Sequence, residues 1–323
     1  MRVVGSAVGI NIHAPEDAYF SYFNSPYIGH NIGSAVDIYP RHQEWGGDVV
    51  APVSGKIVKT EKMRMGRPKQ FPTSDFDYVI GILPEESDTD LLRVMHCEPT
   101  LKDGETVELG DCIGKAIRSR YFNYWTGPHY HVEILPEESF RRSSKSYPLE
   151  IDYQFEADGS MGASGKLELL VSSVTDDNIV GYVESLGSAS IGNLVGLPAI
   201  GEASEIKGIL EGGFSHYKLG GVIGTSELKI GSPIHLGDIP VGSVRNTIRG
   251  ASVFKRGPSI IAFLNNTEIR GLSCFIYPKH YTKKQTPQLI LIPKKYGQFK
   301  TLFKEGDLCT LQLSCSINMV KAE

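Results

Sequence analysis

"TGPHYHVEI", residues 126–134, places two of the chain's nine histidines one residue apart. Tyr, Val and Ile alternate with polar residues there, and that period predicts a β-strand. Side chains at i and i+2 of a strand share a face, with heads about 6–7 Å apart. His129 and His131 therefore look into the same space.

Upstream of this strand, "GGDVVAPVSGKIV" (46–58), "YVIGILPEE" (78–86), "DLLRVMHCEPT" (90–100) and "GETVELGDCIGKAI" (104–117) are short alternating runs punctuated by Gly and Asp-Gly turns. They predict an antiparallel sheet. The first and last of these share an order of turn, Val-bearing strand, small residues, Gly and strand, which suggests an internal pseudo-repeat. "FPTSDFD" (71–77) and "PEESDTD" (84–90) are expected as exposed loops. "PEESFRRSSKSYPLE" (136–150), polar and bounded by Pro136 and Pro148, is expected as a linker. Beyond it, runs such as "GKLELLVSSV", "NIVGYVESLG" and "PQLILIPKKY" again have strand character. The fold class is thus all-β: an antiparallel first domain over 1–140, followed by a second all-β domain, sandwich or barrel, over 150–323. At 323 residues, two cores are the default expectation.

The composition is that of a soluble globular chain, with 41% hydrophobic and 22% charged residues. A formal net charge of −4 offers no electrostatic case for nucleic acid or an anionic membrane as partner. Cys97, Cys112, Cys274, Cys309 and Cys315 are odd in number and lack paired metal-type spacing, so reduced thiols are expected rather than a disulfide framework. The opening "MRVVGSAVGINIHAPED" is a poor signal peptide, and no apolar run is long enough to span a bilayer. A cytoplasmic location is the expectation from those features. Oligomeric state leaves no mark on the sequence.

Five positions of the first domain have chemistry to offer together: His30, Asp37, His96, His129 and His131. A catalytic zinc site draws three protein ligands from His and carboxylate and keeps an open position for water. "GHNIGSAVDIYP" (29–40) contributes a His and an Asp, and the strand pair contributes another His. Two histidines then remain for moving a proton and stabilising an oxyanion, work suited to imidazole at neutral pH. Structural or surface roles are expected for His13, His42, His216, His235 and His280.

Taken together, these residues resemble the lysostaphin/LytM-type zinc endopeptidases. That family carries a His-to-Asp motif, a "G-x-x-V-x-A-P-x-x-G-x-V" strand pair, a lone His, a "G-x-x-V-x-x-G-x-x-I-G" turn and a terminal "G-P-H-x-H-x-E". Here the same order runs through His30 and Asp37, "GGDVVAPVSGKIV", His96, "GETVELGDCIGKAI" and "GPHYHVEI", over roughly residues 28–135. The resemblance implies a duplicated hybrid-motif barrel-sandwich with a groove. It also implies one zinc held by His30, Asp37 and His131, with His96 and His129 acting on the water and the oxyanion. The activity implied is metalloendopeptidase cleavage of a peptide or cell-wall-like substrate, in a family whose members are normally exported. The spacing from His30 to Asp37 is seven where four is usual, and an odd offset requires a turn or bulge near Gly33; His42 is the reserve ligand. Two other readings use the same residues: a phosphohistidine carrier on a similar fold, and a non-catalytic binding protein that keeps the groove.

Overall fold

The structure, a computed structural model, describes residues 1–152, 167–202, 204–217, 219–224, 228–248, 250–256, 259–281 and 286–316. It is all-β, with antiparallel pairing throughout its named ladders, and no helix of the described residues is long and apolar enough to cross a membrane. The chain divides into two compact units. The first takes Met1–Tyr22 and Tyr27–Asp152; the second takes Phe23–Pro26 and what is described of Tyr153–Glu323.

The first unit holds strands β1 (Arg2–Ala7), β2 (Ile10–Ala14), β3 (Tyr19–Ser21), β4 (Ala35–Tyr39), β5 (Asp48–Val50), β6 (Gly55–Arg64), β7 (Phe76–Pro84), β8 (Asp90–Met95), β9 (Cys97–Pro99), β10 (Thr106–Val107), β11 (Cys112–Ala116) and β12 (Tyr130–Pro136), with one helical turn, α1 (Ile28–Asn31). Seven strands form a sheet in the order β10-β6-β7-β8-β12-β4-β3, and β5-β11-β9 form a second. The two look-alike segments interlock. The first strand of each copy pairs with the second strand of the other: β5 with β11, and β10 with β6.

β12 lies inside the larger sheet between β8 and β4, and its register is what gathers the site. Val132 sits opposite Val94 and Val36, and Ile134 opposite Leu92, so one face is apolar and fully buried. Alternation turns the intervening residues to the other face. There His131 lies opposite both Asp37 and Met95, and Glu133 lies opposite Arg93 and Ala35. A one-residue slip would move the whole polar set into the apolar layer.

Residues 136–150, expected as a linker, instead finish the first unit. Two short 3-10 turns (Glu137–Ser139 and Ser143–Lys145) lay Phe140 and Leu149 into buried positions, and the Tyr147 and Leu149 N–H groups donate to the Ile134 and Gly33 carbonyls. "FPTSDFD" also differs from expectation at its end, because Phe76 and Asp77 already belong to β7 and Asp77 is fully buried.

In the second unit, six strands close a ring: Leu194–Ile200, Ile206–Phe214, Leu219–Ile223, Ala251–Arg256, Ile239–Ile248 and Pro233–Leu236, which returns to Leu194–Ile200. Aromatic rings occupy what the glycines vacate. Phe254 packs over Gly220 and Gly242, and Phe23 over Gly221. The Phe23 N–H donates to the fully buried Glu211 carboxylate at 2.7 Å. Among the described residues, Cys97, Cys112, Cys274 and Cys309 are free thiols.

Two motif glycines of the first unit have a steric reason. A Cβ on Gly55 would stand 2.3 Å from the Leu83 carbonyl oxygen, and one on Gly114 2.3 Å from that of Glu98. Backbone meets backbone at both positions, so no side chain can yield. Gly55→Ala and Gly114→Ala should each cost about 1–3 kcal/mol of stability through forced strand separation, read as a lowered urea midpoint.

Candidate metal centre

His30 and Asp37 stand seven positions apart because only Asp37 is on a strand. His30 rides on α1, which ends in a left-handed glycine: Gly33 has φ +71°, its N–H donates to the His30 carbonyl, and the Ser34 N–H donates to the Gly29 carbonyl. This is the paired closure of a Schellman motif, and it swings the chain from the helical turn into β4. The turn expected near Gly33 is therefore a helix stop. His42, the reserve candidate, is exposed in the turn after β4, with φ +58°.

His30, Asp37 and His131 come together in the interior. His131 Nδ1 lies 2.8 Å from Asp37 Oδ1 and 3.2 Å from His30 Nε2, and His30 Nε2 lies 3.3 Å from Asp37 Oδ1. All three side chains are buried. The outer nitrogen of each ring is committed elsewhere. His30 Nδ1 meets the Tyr22 carbonyl oxygen at 2.6 Å, and His131 Nε2 meets Glu133 Oε1 at 2.6 Å. Since a carbonyl and a carboxylate only accept, both outer nitrogens carry the proton. In neutral rings the inner nitrogens then present lone pairs to each other and to a carboxylate. Three acceptors converging without a donor need a cation between them.

Glu133 is anchored in turn. It accepts from Arg93 at 2.5 Å and from the Ser146 hydroxyl, while Arg93 also donates to the Phe140 carbonyl and the Ser143 hydroxyl. A Cβ on Gly29 would stand 2.5 Å from Glu133 Oε1, so the glycine before His30 makes room for this carboxylate. Glu133 could have been found in the sequence, since it continues the i, i+2 face of His129 and His131.

The two remaining histidines lie beside the trio. His129 Nδ1 donates to the Gly127 carbonyl at 2.8 Å, and its Nε2 lies 3.8 Å from Asp37 Oδ1. Its ring stacks on Tyr39 at 4.9 Å and meets the edge of Phe122 at 5.1 Å. The His96 ring centre is 5.4 Å from that of His129 and 6.1 Å from that of His131. All five sequence candidates thus occupy one buried locus. Among the described residues, the group whose His, Cys, Asp and Glu atoms fit a metal ion is His30, Asp37 and His131, with ligand atoms within 4.8 Å of one another.

Electrostatics separates the two strand histidines. Burial lowers the His129 imidazolium to about 4 against the pull of the Asp37 charge. Burial opposes the charge on His131 as well, but hydrogen bonds and charges from Asp37 and Glu133 overrule it and push its pKa up to about 9. Glu133, despite burial, is held down at about 2 by His131, Arg93 and Ser146. In the metal-free chain a proton on His131 does the work a cation would do.

Residues 11–151 match the family model described as Domain of unknown function (DUF8155) N-terminal domain, and residues 189–288 match the one described as its C-terminal domain. No curated protein matches the chain in sequence. Among solved structures, a deep-sea M23 metalloprotease, pseudoalterin, is similar at a TM-score of 0.29 and 17% identity, over 49% of this chain and 85% of its own. Lysostaphin, from an NMR solution structure, is similar at a TM-score of 0.25 and 15% identity, over 58% of this chain and 85% of its own.

Two outcomes follow from the ligand geometry. Zinc must displace the His131 proton, so its apparent affinity should fall about tenfold per pH unit below about 9, measured by competition with a chromophoric chelator. The metal-free chain should behave oppositely. His131 is raised above its ordinary 6.5, so its stabilising contribution is full below 6.5 and is lost as pH rises through about 9. Separately, Glu133→Gln should weaken zinc binding about 10–100-fold by loosening the His131 ring, in the same competition assay.

Proposed function

We propose that the chain is a zinc-dependent metallohydrolase that cleaves a peptide bond, with His30, Asp37 and His131 as the metal ligands. The observation that supports this reading is the convergence of two imidazole lone pairs and a carboxylate oxygen whose outer partners are already committed. A His₂–carboxylate set suits zinc and leaves a coordination position for water. Zinc bound there would lower the pKa of a water towards ~7 and polarise a carbonyl oxygen.

The chain's own residues supply the rest. His129, neutral and with Nδ1–H spent on Gly127, presents Nε2 as a proton acceptor beside Asp37. It takes the proton of the attacking water and returns it to the departing amine. His96, its Nδ1–H committed to Asp77 at 2.8 Å, stabilises the oxyanion of the tetrahedral state through Nε2 once that nitrogen has taken up a proton. Half-buried Tyr121, with its ring 5.2 Å from that of His96, and buried Phe122, at 4.4 Å, wall the His96 imidazole. The similarity of the motifs to lysostaphin/LytM-type sequences supports a peptide or cell-wall-like substrate. The departure of the inner nitrogens from solvent, and the carboxylate among them, disfavour a phosphohistidine carrier.

The test has two parts. Elemental analysis should find about one zinc per chain, and a peptide library should be cleaved. His129→Ala should keep the metal while turnover falls about 10²–10⁴-fold, the usual worth of a general base. A zinc-loaded wild type that leaves every library peptide intact would replace this reading with that of a binding protein.

A further inference from the structure

The first unit contains a third buried carboxylate, and it lies outside the ligand trio. Asp77, on β7, is fully buried and is surrounded by donors. Its Oδ1 accepts from the Tyr78 main-chain N–H at 2.8 Å; its Oδ2 accepts from His96 Nδ1 at 2.8 Å and from the Ser119 hydroxyl at 2.7 Å. Ser119 is itself fully buried, so this hydroxyl has been taken from water to meet the carboxylate. The main chain grips the same imidazole residue from both sides. The His96 N–H donates to the Tyr78 carbonyl, and the Ile117 N–H donates to the His96 carbonyl.

We propose that Asp77 and Ser119 are positioning residues for His96: they lock its ring as the Nδ1–H tautomer and leave Nε2 as the ring nitrogen available to the cluster. The chemistry of the neighbours requires this form. An ionised carboxylate is an acceptor at every lone pair, so the nitrogen facing it must carry hydrogen. The Ser119 hydroxyl donates to the same oxygen and so helps hold it where His96 meets it. The serine bonds to the carboxylate and not to the imidazole, so the three do not form a nucleophile–base–acid relay. Burial opposes ionisation of Asp77, but His96 beside it and the bonds from His96, Ser119 and Tyr78 hold its carboxyl below the usual range.

What His96 does with Nε2 rests on the peptidase reading; the tautomer lock does not. Asp77→Asn is the discriminating change. An amide keeps the shape but has one acceptor oxygen for donors on two sides, so its NH₂ must face either Tyr78 or the His96–Ser119 pair.

The experiment is long-range ¹H–¹⁵N NMR of the imidazoles in the metal-free full-length chain, at a pH where the His96 ring is neutral, with the His96 signals assigned by their loss in His96→Gln. The wild type should show Nδ1–H on His96. Asp77→Ala, which removes the acceptor, should leave a mixture of the two tautomers, and Asp77→Asn should shift the pattern towards Nε2–H to the extent that its NH₂ faces His96. With zinc restored, both variants should bind about one equivalent, and kcat should fall at least about tenfold with KM little changed. A wild-type His96 protonated on Nε2 overturns the proposal, and this arm stands even where an Asp77 variant does not fold. So does a tautomer pattern unmoved in both variants. A locked tautomer in a wild type that cleaves no peptide would count against the peptidase and for the lock; peptide cleavage with the opposite tautomer would do the reverse.

Discussion

Three acceptor atoms facing one another in a dry interior are the constraint around which the first unit is arranged. Left alone, His30 Nε2, His131 Nδ1 and the Asp37 carboxylate repel, and burial strengthens the repulsion by removing the water that would screen it. The arrangement persists because each group is pinned from outside. The Tyr22 carbonyl holds one ring, Glu133 holds the other, and the register of β12 against β4 fixes Asp37 opposite His131. A proton or a metal ion in the middle converts that repulsion into cohesion.

The same constraint explains how two histidines on one strand face acquire opposite character. His131 is clasped between carboxylates at 2.8 and 2.6 Å, whereas His129 is sandwiched between aromatic rings with the nearest carboxylate oxygen at 3.8 Å. One imidazole is driven towards holding charge and the other towards losing it. Environments that push neighbouring titratable groups apart are how a site distributes acid and base work among chemically identical side chains. Arg93 completes the balance, since without its guanidinium Glu133 would add a second uncompensated negative charge beside Asp37.

Much of this was legible in the sequence. Period-two alternation and Gly punctuation indicated the all-β fold, and the five chemical positions stood out by residue type and order. What stayed hidden depended on long-range register or on main-chain groups. Asp77 reads as part of a polar loop, because nothing local tells that its strand begins one residue earlier and that His96 lies across from it. Arg93 reads as an ordinary charge within "DLLRVM", and only the pairing of β8 with β12 sets it against Glu133. The segment 136–150 looks like a spacer by composition; its burial comes from Phe140 and Leu149, two apolar residues among many polar ones. The His30 to Asp37 spacing is intelligible only with the helix stop at Gly33.

His96 occupies the single position between β8 and β9, with φ +65°, where the chain leaves one sheet and enters the other. That left-handed conformation is one an L-residue adopts at some cost and glycine adopts freely. Histidine there is a choice made against conformational ease, and the same residue serves as architectural corner and chemical group. Related chains are therefore free to vary in length in the exposed turns after β4 and β6, while an indel beside this corner would rotate the imidazole out of reach of everything it serves.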